Sequence, residues 1–525
     1  MISQAISIVT LCILVFYIGT ATKHELQMMQ QNSYRNDRYY RWLTGSKSLS
    51  SISRLIDLFL LIMLFTRFPE TIVGSIVSVV LLIKAIKELR TKYKKPLVFT
   101  RRATRLYIAC LVVTALLVVG GCLLLTPSLY WAIRLLMLSA VLSPAIILFA
   151  NLLMKPIEKS INRRFYNEAK KILSQMPELT IIGVTGSYGK TSTKHYLYRI
   201  LSEKYNVIMT PGSFNTPMGV IRTVREQMKP YYNIFIVEMG AKQIGDIKEI
   251  CDLVCPTIGI VTAVGEQHLE SFKTIENVQR TKFELIDALP ADGLAVINND
   301  FPYIANRTVS HVPVRRYALE KSDATDYHIE DITYGTEDTR FTVVGGGERI
   351  ELTTKLIGDC NLSNLMAAVI VARHLDVPVS SIQYGVSRIE QVEHRLNMKR
   401  TPGGISIIDD AFNSNPDGSR MALDVLRRIR TGKRIVITPG MIELGEKQEY
   451  YNRKFGEQLA TACDYVMVVG EYNRAAILAG LEEGGMNADS IFIADTFRQA
   501  QQRLQQIAGA GDVVLYENDL PDTFK

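Results

Sequence analysis

Long apolar runs organise the chain up to Met154, and short apolar strips set in mixed sequence organise the rest. Ala5–Thr22 carries no charge and has about the 20-residue length that crosses a hydrocarbon core. Further runs cover Leu55–Thr66, Thr71–Ile86, Leu106–Leu125 and Leu129–Met154. The second and third are short, and Arg67, Phe68, Pro69 and Glu70 part them, which predicts a helical membrane hairpin rather than one helix kinked at Pro69. Met1–Gln4 has no basic residue and no small-residue cleavage site precedes Lys23, so the first run reads as a retained helix, not a signal peptide. From Thr180 onward, strips such as Thr180–Val184, Asn233–Glu238 and Pro256–Val264 predict buried strands between helices, an α/β pattern.

Charge then orients the apolar half. Lys23, Arg35, Arg38, Arg41, Lys47 and Arg54 follow the first run, and Lys84–Arg105 holds nine Lys and Arg against Glu88. Lys155, Lys159, Arg163 and Arg164 follow the last run, while Arg67–Glu70 and Thr126–Ser128 are nearly neutral. Five spans with the amino terminus outside place all three basic segments, and the α/β half, in the cytoplasm. Arg134 near the outer end of the last run can snorkel to headgroups. Over 525 residues the balance is Lys+Arg 60 to Asp+Glu 52, a net +8 concentrated beside apolar runs, which argues for membrane topology and against nucleic-acid binding. The seven cysteines form no C-x-x-C pair and suit a reducing compartment, with Cys251 and Cys255 expected on one helix face. The expected division is a membrane domain at 1–154, a cytoplasmic linker at 155–177, a central domain at 178–392 and a carboxy-terminal domain at 393–525.

The chemistry begins at Leu179–Lys194, LTIIGVTGSYGKTSTK. A strand, a turn through Gly186, Ser187, Tyr188 and Gly189, and a helix opening at Lys190, Thr191 and Ser192 make a nest of N–H groups for phosphate. Gly189 admits close backbone approach, Lys190 supplies a point charge and Thr191 a hydroxyl for Mg²⁺. Val184 stands where a glycine usually opens such a loop. The second strip delivers Glu238 at its carboxyl end and the third leads to His268, so that Thr191, Glu238 and His268 can gather around hard cations.

TGSYGKTSTK resembles the phosphate loop of the Mur ligases, the ATP-dependent amide-forming enzymes of peptidoglycan synthesis. The likeness continues through FNTPMGV (Phe214–Val220), VEMGAKQIGDI (Val237–Ile247), GEQHLESF (Gly265–Phe272), RTKFELI (Arg280–Ile286) and GDCNLSNLMAA (Gly358–Ala368). It closes with EHRL (Glu393–Leu396), IIDDAFNSNPD (Ile407–Asp417) and GMIELGE (Gly440–Glu446), and is most similar to the UDP-N-acetylmuramoyl-tripeptide–D-alanyl-D-alanine ligase type. After the helical transmembrane domain that the apolar runs predict, the resemblance implies α/β: a central P-loop ATPase domain with mostly parallel sheet and a carboxy-terminal Rossmann-like domain. It implies ATP and two Mg²⁺ ions, with Glu238, His268 and a carbamylated Lys282 as ligands beside Thr191. It places Asn361 and Asn364 on the adenine side, Cys360 where a histidine is common, and Arg395 and Asp410 toward the nucleotide. Asn215, Thr216, Asn413 and Asn415 are expected on the substrate side, and Lys190, Glu238, His268, Lys282 and Arg395 carry the reaction.

The implied reaction is phosphorylation of an acceptor carboxylate by ATP, then attack of an amine on the acyl phosphate; no side-chain nucleophile is needed. The peptidoglycan ligases begin with a soluble domain that binds the UDP-sugar, and here apolar runs occupy that place. A lipid-linked carboxylate acceptor, with an amino acid or dipeptide as amine donor, therefore becomes attractive, because tethering in one bilayer raises effective concentration. The ending LYENDLPDTF replaces the basic KGS type and leaves the dipeptide open. A polyglutamate-type synthase is the alternative enzyme. An ATP-gated transporter or partner protein is the alternative of another class, which the scarcity of intramembrane charge disfavours.

Overall fold

The computed structural model describes residues 2–45, 48–66, 68–91, 93, 95–125, 128–335, 338–412 and 414–520. The chain divides into two compact units, residues 1–163 with the terminal stretch from Leu520, and residues 164–519.

The first unit is helical: α1 (Ile2–Gln31), α2 (Asn36–Gly45), α3 (Ile52–Met63), α4 (Glu70–Arg90), α5 (Arg101–Leu124), α6 (Leu129–Val141) and α7 (Ser143–Ser174), which continues into the second unit. Ser51, Thr100 and Ser128 start α3, α5 and α6 by accepting an N–H three residues on. The hairpin expected at 55–86 forms as α3 and α4. Ser78 donates to Thr10 Oγ1 at 3.0 Å, Thr10 to the Gly74 carbonyl at 3.2 Å, and His24 Nδ1 lies 3.1 Å from Glu88, so α4 runs parallel to α1. Tyr17 donates to Asp57 at 2.8 Å, Arg54 to Glu25 at 2.9 Å, and Lys84 closes on Asp57. Arg134 donates to the Leu64 carbonyl at 3.0 Å, with its guanidinium over Phe65, Tyr130 and Trp131.

Among the described residues two helices, α1 and α5, are long and apolar enough to cross a membrane, and α6 with α7 makes a third if that pair, bent by 78°, is one broken span. The five crossings expected from the apolar runs are not found among the described residues. Helix α3 has 12 residues and rises about 18 Å, well short of a core of about 30 Å. Helix α4 has the length but carries Lys84, Lys87, Glu88 and Arg90 in its last two turns. Lys47, Arg67, Lys92, Lys94 and Thr126, which entered the charge argument, lie outside the described residues.

The second unit holds two sheets. The first has nine strands: β1 (Thr180–Thr185), β2 (Val207–Met209), β3 (Ile234–Glu238), β4 (Ile258–Val261), β5 (Leu294–Asn298), β6 (Val314–Tyr317), β7 (Tyr327–Tyr334), β8 (Thr339–Gly345) and β9 (Glu348–Thr354). Their order is β2-β3-β1-β4-β5-β6-β7-β8-β9, parallel as far as β7 and antiparallel through β8 and β9. Its helices are α8 (Lys190–Leu201), α9 (Pro217–Gln227), α10 (Asp246–Val254), α11 (Leu269–Phe272), α12 (Ile275–Asp287), α13 (Pro302–Ala305), α14 (Asp359–His374) and α15 (Val379–Ser387). Ile182, Ile234, Ile236 and Ile260 face one core with α8, α14 and α15, while Ile181, Phe235, Val237 and Val261 face the other with α9, α10 and α12. Burial on both faces explains why these strands read as unbroken apolar strips. Cys251 is buried on α10, whereas Cys255 caps that helix at φ +50° and is exposed, so the two do not share a face.

The second sheet has order β10-β11-β15-β12-β13-β14 and is parallel except at β10. It comprises β10 (Asn397–Arg400), β11 (Ser406–Asp410), α16 (Pro416–Arg428), β12 (Arg434–Thr438), α17 (Gln448–Ala462), β13 (Tyr465–Val469), α18 (Arg474–Glu483), β14 (Ile491–Ala494), α19 (Phe497–Ile507) and β15 (Val513–Glu517). Asp409 and Asp410 end strand β11. In the first sheet the chain steps from β1 outward to β2, back to β3, then across β1 to β4. Such a switch point opens a crevice at the carboxyl ends of β1, β3 and β4.

Candidate active site

The loop after β1 fills that crevice. Gly186 has φ +154°, and a Cβ there would stand 2.1 Å from Thr262 Oγ1. Gly189 caps α8 at φ +79°, and a Cβ there would stand 2.3 Å from Asn364 Oδ1. Both positions therefore need glycine for closeness as well as for torsion. Ser187 is buried and donates to the Gly265 carbonyl at 3.0 Å, while its N–H donates to the Ala263 carbonyl at 2.8 Å, tying the loop to the segment after β4. The Tyr188 ring packs edge-on to Phe301, its hydroxyl buried without a partner and its pKa raised by burial and by Asp417. Ser192 is buried in the first turn of α8.

Lys190 donates to the carbonyls of Gly186 at 2.5 Å and Ser187 at 3.2 Å, curling its ammonium over the loop. Burial pulls its pKa down to about 8, opposed by Glu238. Glu238 ends β3 with 1% of its surface exposed. Thr191 Oγ1 and Asn215 Nδ2 each donate to its Oε1 at 3.1 Å, Lys194 Nζ donates to its Oε2 at 3.1 Å, and its N–H donates to Thr210 Oγ1 at 3.1 Å. Burial favours the neutral acid, but the Lys194 and Lys190 ammoniums outweigh it and hold the carboxyl below its ordinary value. Lys194 also donates to the Gly212 carbonyl and is fully buried.

Lys282 on α12 is buried, and no described side chain forms a hydrogen bond or ion pair with it. Burial and then Lys190 hold its pKa well below the ordinary lysine value. His268 starts α11 at φ +55° with Nδ1 in close contact with the Glu443 carboxylate. Burial draws its pKa down against Glu443, and Lys282 is among the charges acting on it. Thr191 and Glu238 thus meet directly, while Lys282 is linked electrostatically to Lys190 and to His268. Among the described residues no three His, Cys, Asp or Glu side chains form a ready cation cluster.

The remaining expectations divide. Asn364 abuts Gly189, and Arg395, half-buried with its guanidinium 4.2 Å from the centre of the Phe412 ring, is drawn by both Asp410 and Glu238. Asp410 accepts from the Leu396 N–H at 3.1 Å, and burial raises its pKa to about 6 against Arg395. Asn361 is engaged in packing: it accepts from Tyr196 at 2.8 Å and donates to the Ile357 carbonyl at 2.8 Å. Thr216 and Asn415 cap α9 and α16, accepting from Gly219 and Gly418. Asn413 lies outside the described residues. Cys360 is a half-buried thiol that desolvation pushes up to about 12.

Sequence reasoning passed over three residues. Lys194 sits four after Lys190, one helical turn on, and that spacing was the available signal. Glu443 lay unexamined inside GMIELGE. Glu517 pairs in register with Asp410 across β11 and β15; burial and Asp410 push it up to about 8, and its Oε2 has no partner.

Residues 184–372 match the Mur ligase middle domain and residues 394–516 match the Mur ligase glutamate ligase domain. Together they cover more than half of the chain, in order. The chain belongs to the Mur ligase family. That family joins carbon to nitrogen at the expense of ATP, so the chain is a Mur ligase in both sheet-bearing regions. It is 28% identical over 343 residues to the UDP-N-acetylmuramoyl-tripeptide–D-alanyl-D-alanine ligase of Bacillus subtilis, covering 64% of this chain and 72% of that one. It is 32% identical over 310 residues to the Mycobacterium tuberculosis ligase of the same name, covering 56% of this chain and 58% of that one. The MurF ligase of Thermotoga maritima, solved with ADP, superposes with a TM-score of 0.62 at 26% identity, over 68% of this chain and 80% of that one.

Two outcomes follow from the Mur ligase site. Lys194→Met strips the buried Glu238 carboxylate of its partner and lowers unfolding free energy by about 3–5 kcal/mol, with most of the loss recovered in Lys194→Met/Glu238→Gln; chemical denaturation of the full-length protein in detergent measures both. Lys190 must be charged to hold phosphate, so ADP affinity is level below pH 8 and about tenfold weaker at pH 9, whereas Lys190→Arg flattens that slope; calorimetric titration reads it.

Proposed function

We propose that this Mur ligase is an ATP-dependent amide ligase of peptidoglycan synthesis. It phosphorylates the terminal carboxylate of a muramoyl-peptide acceptor and passes the acyl group to the amine of a short peptide. One observation carries the reading: Lys190 and Thr191 open α8 directly beside the buried, hydrogen-bonded Glu238, in a chain that matches both Mur ligase domains. The named relatives use UDP-N-acetylmuramoyl-tripeptide and D-alanyl-D-alanine, and that pair is the first choice of acceptor and donor.

The acceptor carboxylate attacks the terminal phosphorus of ATP and ADP leaves; the donor nitrogen then attacks the acyl carbon, phosphate leaves, and the nitrogen gives up a proton. Lys190 offsets the charge on the transferred phosphoryl group, and the N–H groups of the glycine turn hold the phosphates in place. Asn364, Arg395 and Asp410 stand on the nucleotide side. The donor set fits divalent cations: Thr191, Glu238, His268 and a carbamate on Lys282 would hold Mg²⁺. When bound, Mg²⁺ supplies neutralisation of phosphate charge. Lys282 suits carbamylation because burial and Lys190 favour its neutral, nucleophilic amine; the nitrogen adds to CO₂ and loses a proton, which places an anion beside Lys190.

A second reading concerns the acceptor. Helices α1 and α5 are long and apolar enough to enter a bilayer, which favours a lipid-linked muramoyl peptide delivered at the membrane. The need for ATP sets residues 164–519 in the cytoplasm.

Full-length protein in detergent should release ADP only when D-alanyl-D-alanine and a muramoyl-tripeptide are both present, and mass spectrometry should find the joined product. Activity with the UDP-linked acceptor alone, or with the lipid-linked one alone, decides between the two readings; no ADP release with either overturns the proposal. Carbon-13 NMR in labelled bicarbonate should show a carbamate carbon that disappears in Lys282→Met.

A further inference from the structure

His268 does not stand alone at the end of the β4 loop; it is gripped by the second sheet's territory. The segment Glu266–Phe272 docks on Glu443–Lys447, which follows β12. The Glu270 N–H donates to the Glu443 carbonyl at 3.2 Å, Lys447 Nζ pairs with Glu266 at 2.7 Å, and Gly445, at φ +61°, lies against the Glu270 backbone. At the centre the Glu443 carboxylate meets His268 Nδ1, with both side chains mostly buried. His268 and Glu443 each sit in left-handed backbone, at φ +55° and +63°, a conformation that costs a non-glycine residue free energy and persists only where its surroundings impose it. Nε2 of His268 makes no hydrogen bond to a described residue.

We propose that Glu443 is the positioning residue for His268. By accepting from Nδ1–H it fixes the tautomer that leaves the Nε2 lone pair free, and it aims that nitrogen at the divalent cation. Carboxylates commonly orient metal-binding imidazoles from their far nitrogen in this way. The consequence is structural coupling: a residue of the carboxy-terminal region completes a cation site whose other members belong to the first sheet. His268 is aimed only while residues 443–447 are docked on residues 266–272. Of the contacts named above, the Glu443–His268 contact is the one that touches a side chain of the proposed cation site. This inference rests on the reading of His268 as a cation ligand.

The test uses the full-length protein in detergent with a non-hydrolysable ATP analogue, titrated with Mn²⁺ and followed by the electron paramagnetic resonance of free Mn²⁺. Glu443→Ala should weaken one bound Mn²⁺ by about tenfold or more. Glu443→Gln, which keeps an acceptor in place, should restore much of that affinity, and the analogue's own affinity should be unchanged. His268→Ala should lose the same ion, and Glu443→Ala/His268→Ala should be no worse than His268→Ala. Unaltered Mn²⁺ binding in Glu443→Ala while His268→Ala loses the ion overturns the inference and leaves the ligase reading intact. Losses that add in the double variant overturn it as well, since they mark a general effect on folding. Unaltered binding in His268→Ala overturns both.

Discussion

A carboxylate with almost no exposed surface stays ionised only if the protein supplies what water would have supplied, and Glu238 obtains this from Lys194, Thr191 and Asn215. The arrangement around it follows. Strand β3 must end level with the first turn of α8 so that Thr191 can reach it, which fixes the length of the glycine turn. Helix α8 must present Lys190 and Lys194 on one face, one outward over the loop and one inward to the carboxylate. Gly186 and Gly189 are the two places where the chain comes too close to Thr262 and Asn364 for any side chain. A buried ion pair adds little net stability, because desolvation offsets most of the attraction; its use here is to keep a negative oxygen at a defined point beside a phosphate cradle.

The same neighbourhood is short of negative charge. Lys194 and Lys282 are buried and Lys190 is half-buried, and Glu238 is the carboxylate hydrogen-bonded among them. Each lysine has its own answer to the cost of burial: Lys194 is paired, Lys190 leans on loop carbonyls, and Lys282 has its pKa held well below the ordinary lysine value. An imbalance of this kind calls for anions from outside the chain, and the phosphates of a nucleotide together with a carbamate would supply them. The crevice beyond β1, β3 and β4, where the chain reverses its order of strands, is where a sheet of this topology leaves room for such a ligand.

The helical unit solves a related problem with different means. Asp57, Lys84 and Tyr17, and Glu25 with Arg54, are satisfied by one another inside the bundle, so that polar side chains pin α3 and α4 against α1. Apolar side chains on the outer faces of α1, α4 and α5 remain exposed, as surfaces meant for lipid do. Helix count and crossing count differ here because a short helix can pack against a long one without spanning anything itself.

The sequence by itself determined the family and the strand, glycine turn and helix start around Lys190. A phosphate loop is a local object whose strand, glycines and helix start are contiguous, and strands buried on both faces announce themselves as apolar strips. β1 and β3 fall within one residue of the expected strips for that reason. Thr216 and Asn415, expected on the substrate side, also cap helices, and only the structure shows those capping hydrogen bonds. Length in ångströms, not apolarity, removed α3 from the crossing helices. The pairings Glu238–Lys194 and His268–Glu443 were decided by tertiary structure alone, because each joins residues far apart in the chain through the packing of α8 on β3 or of one sheet's loops on the other's. No local pattern encodes which distant partner a buried charge will find.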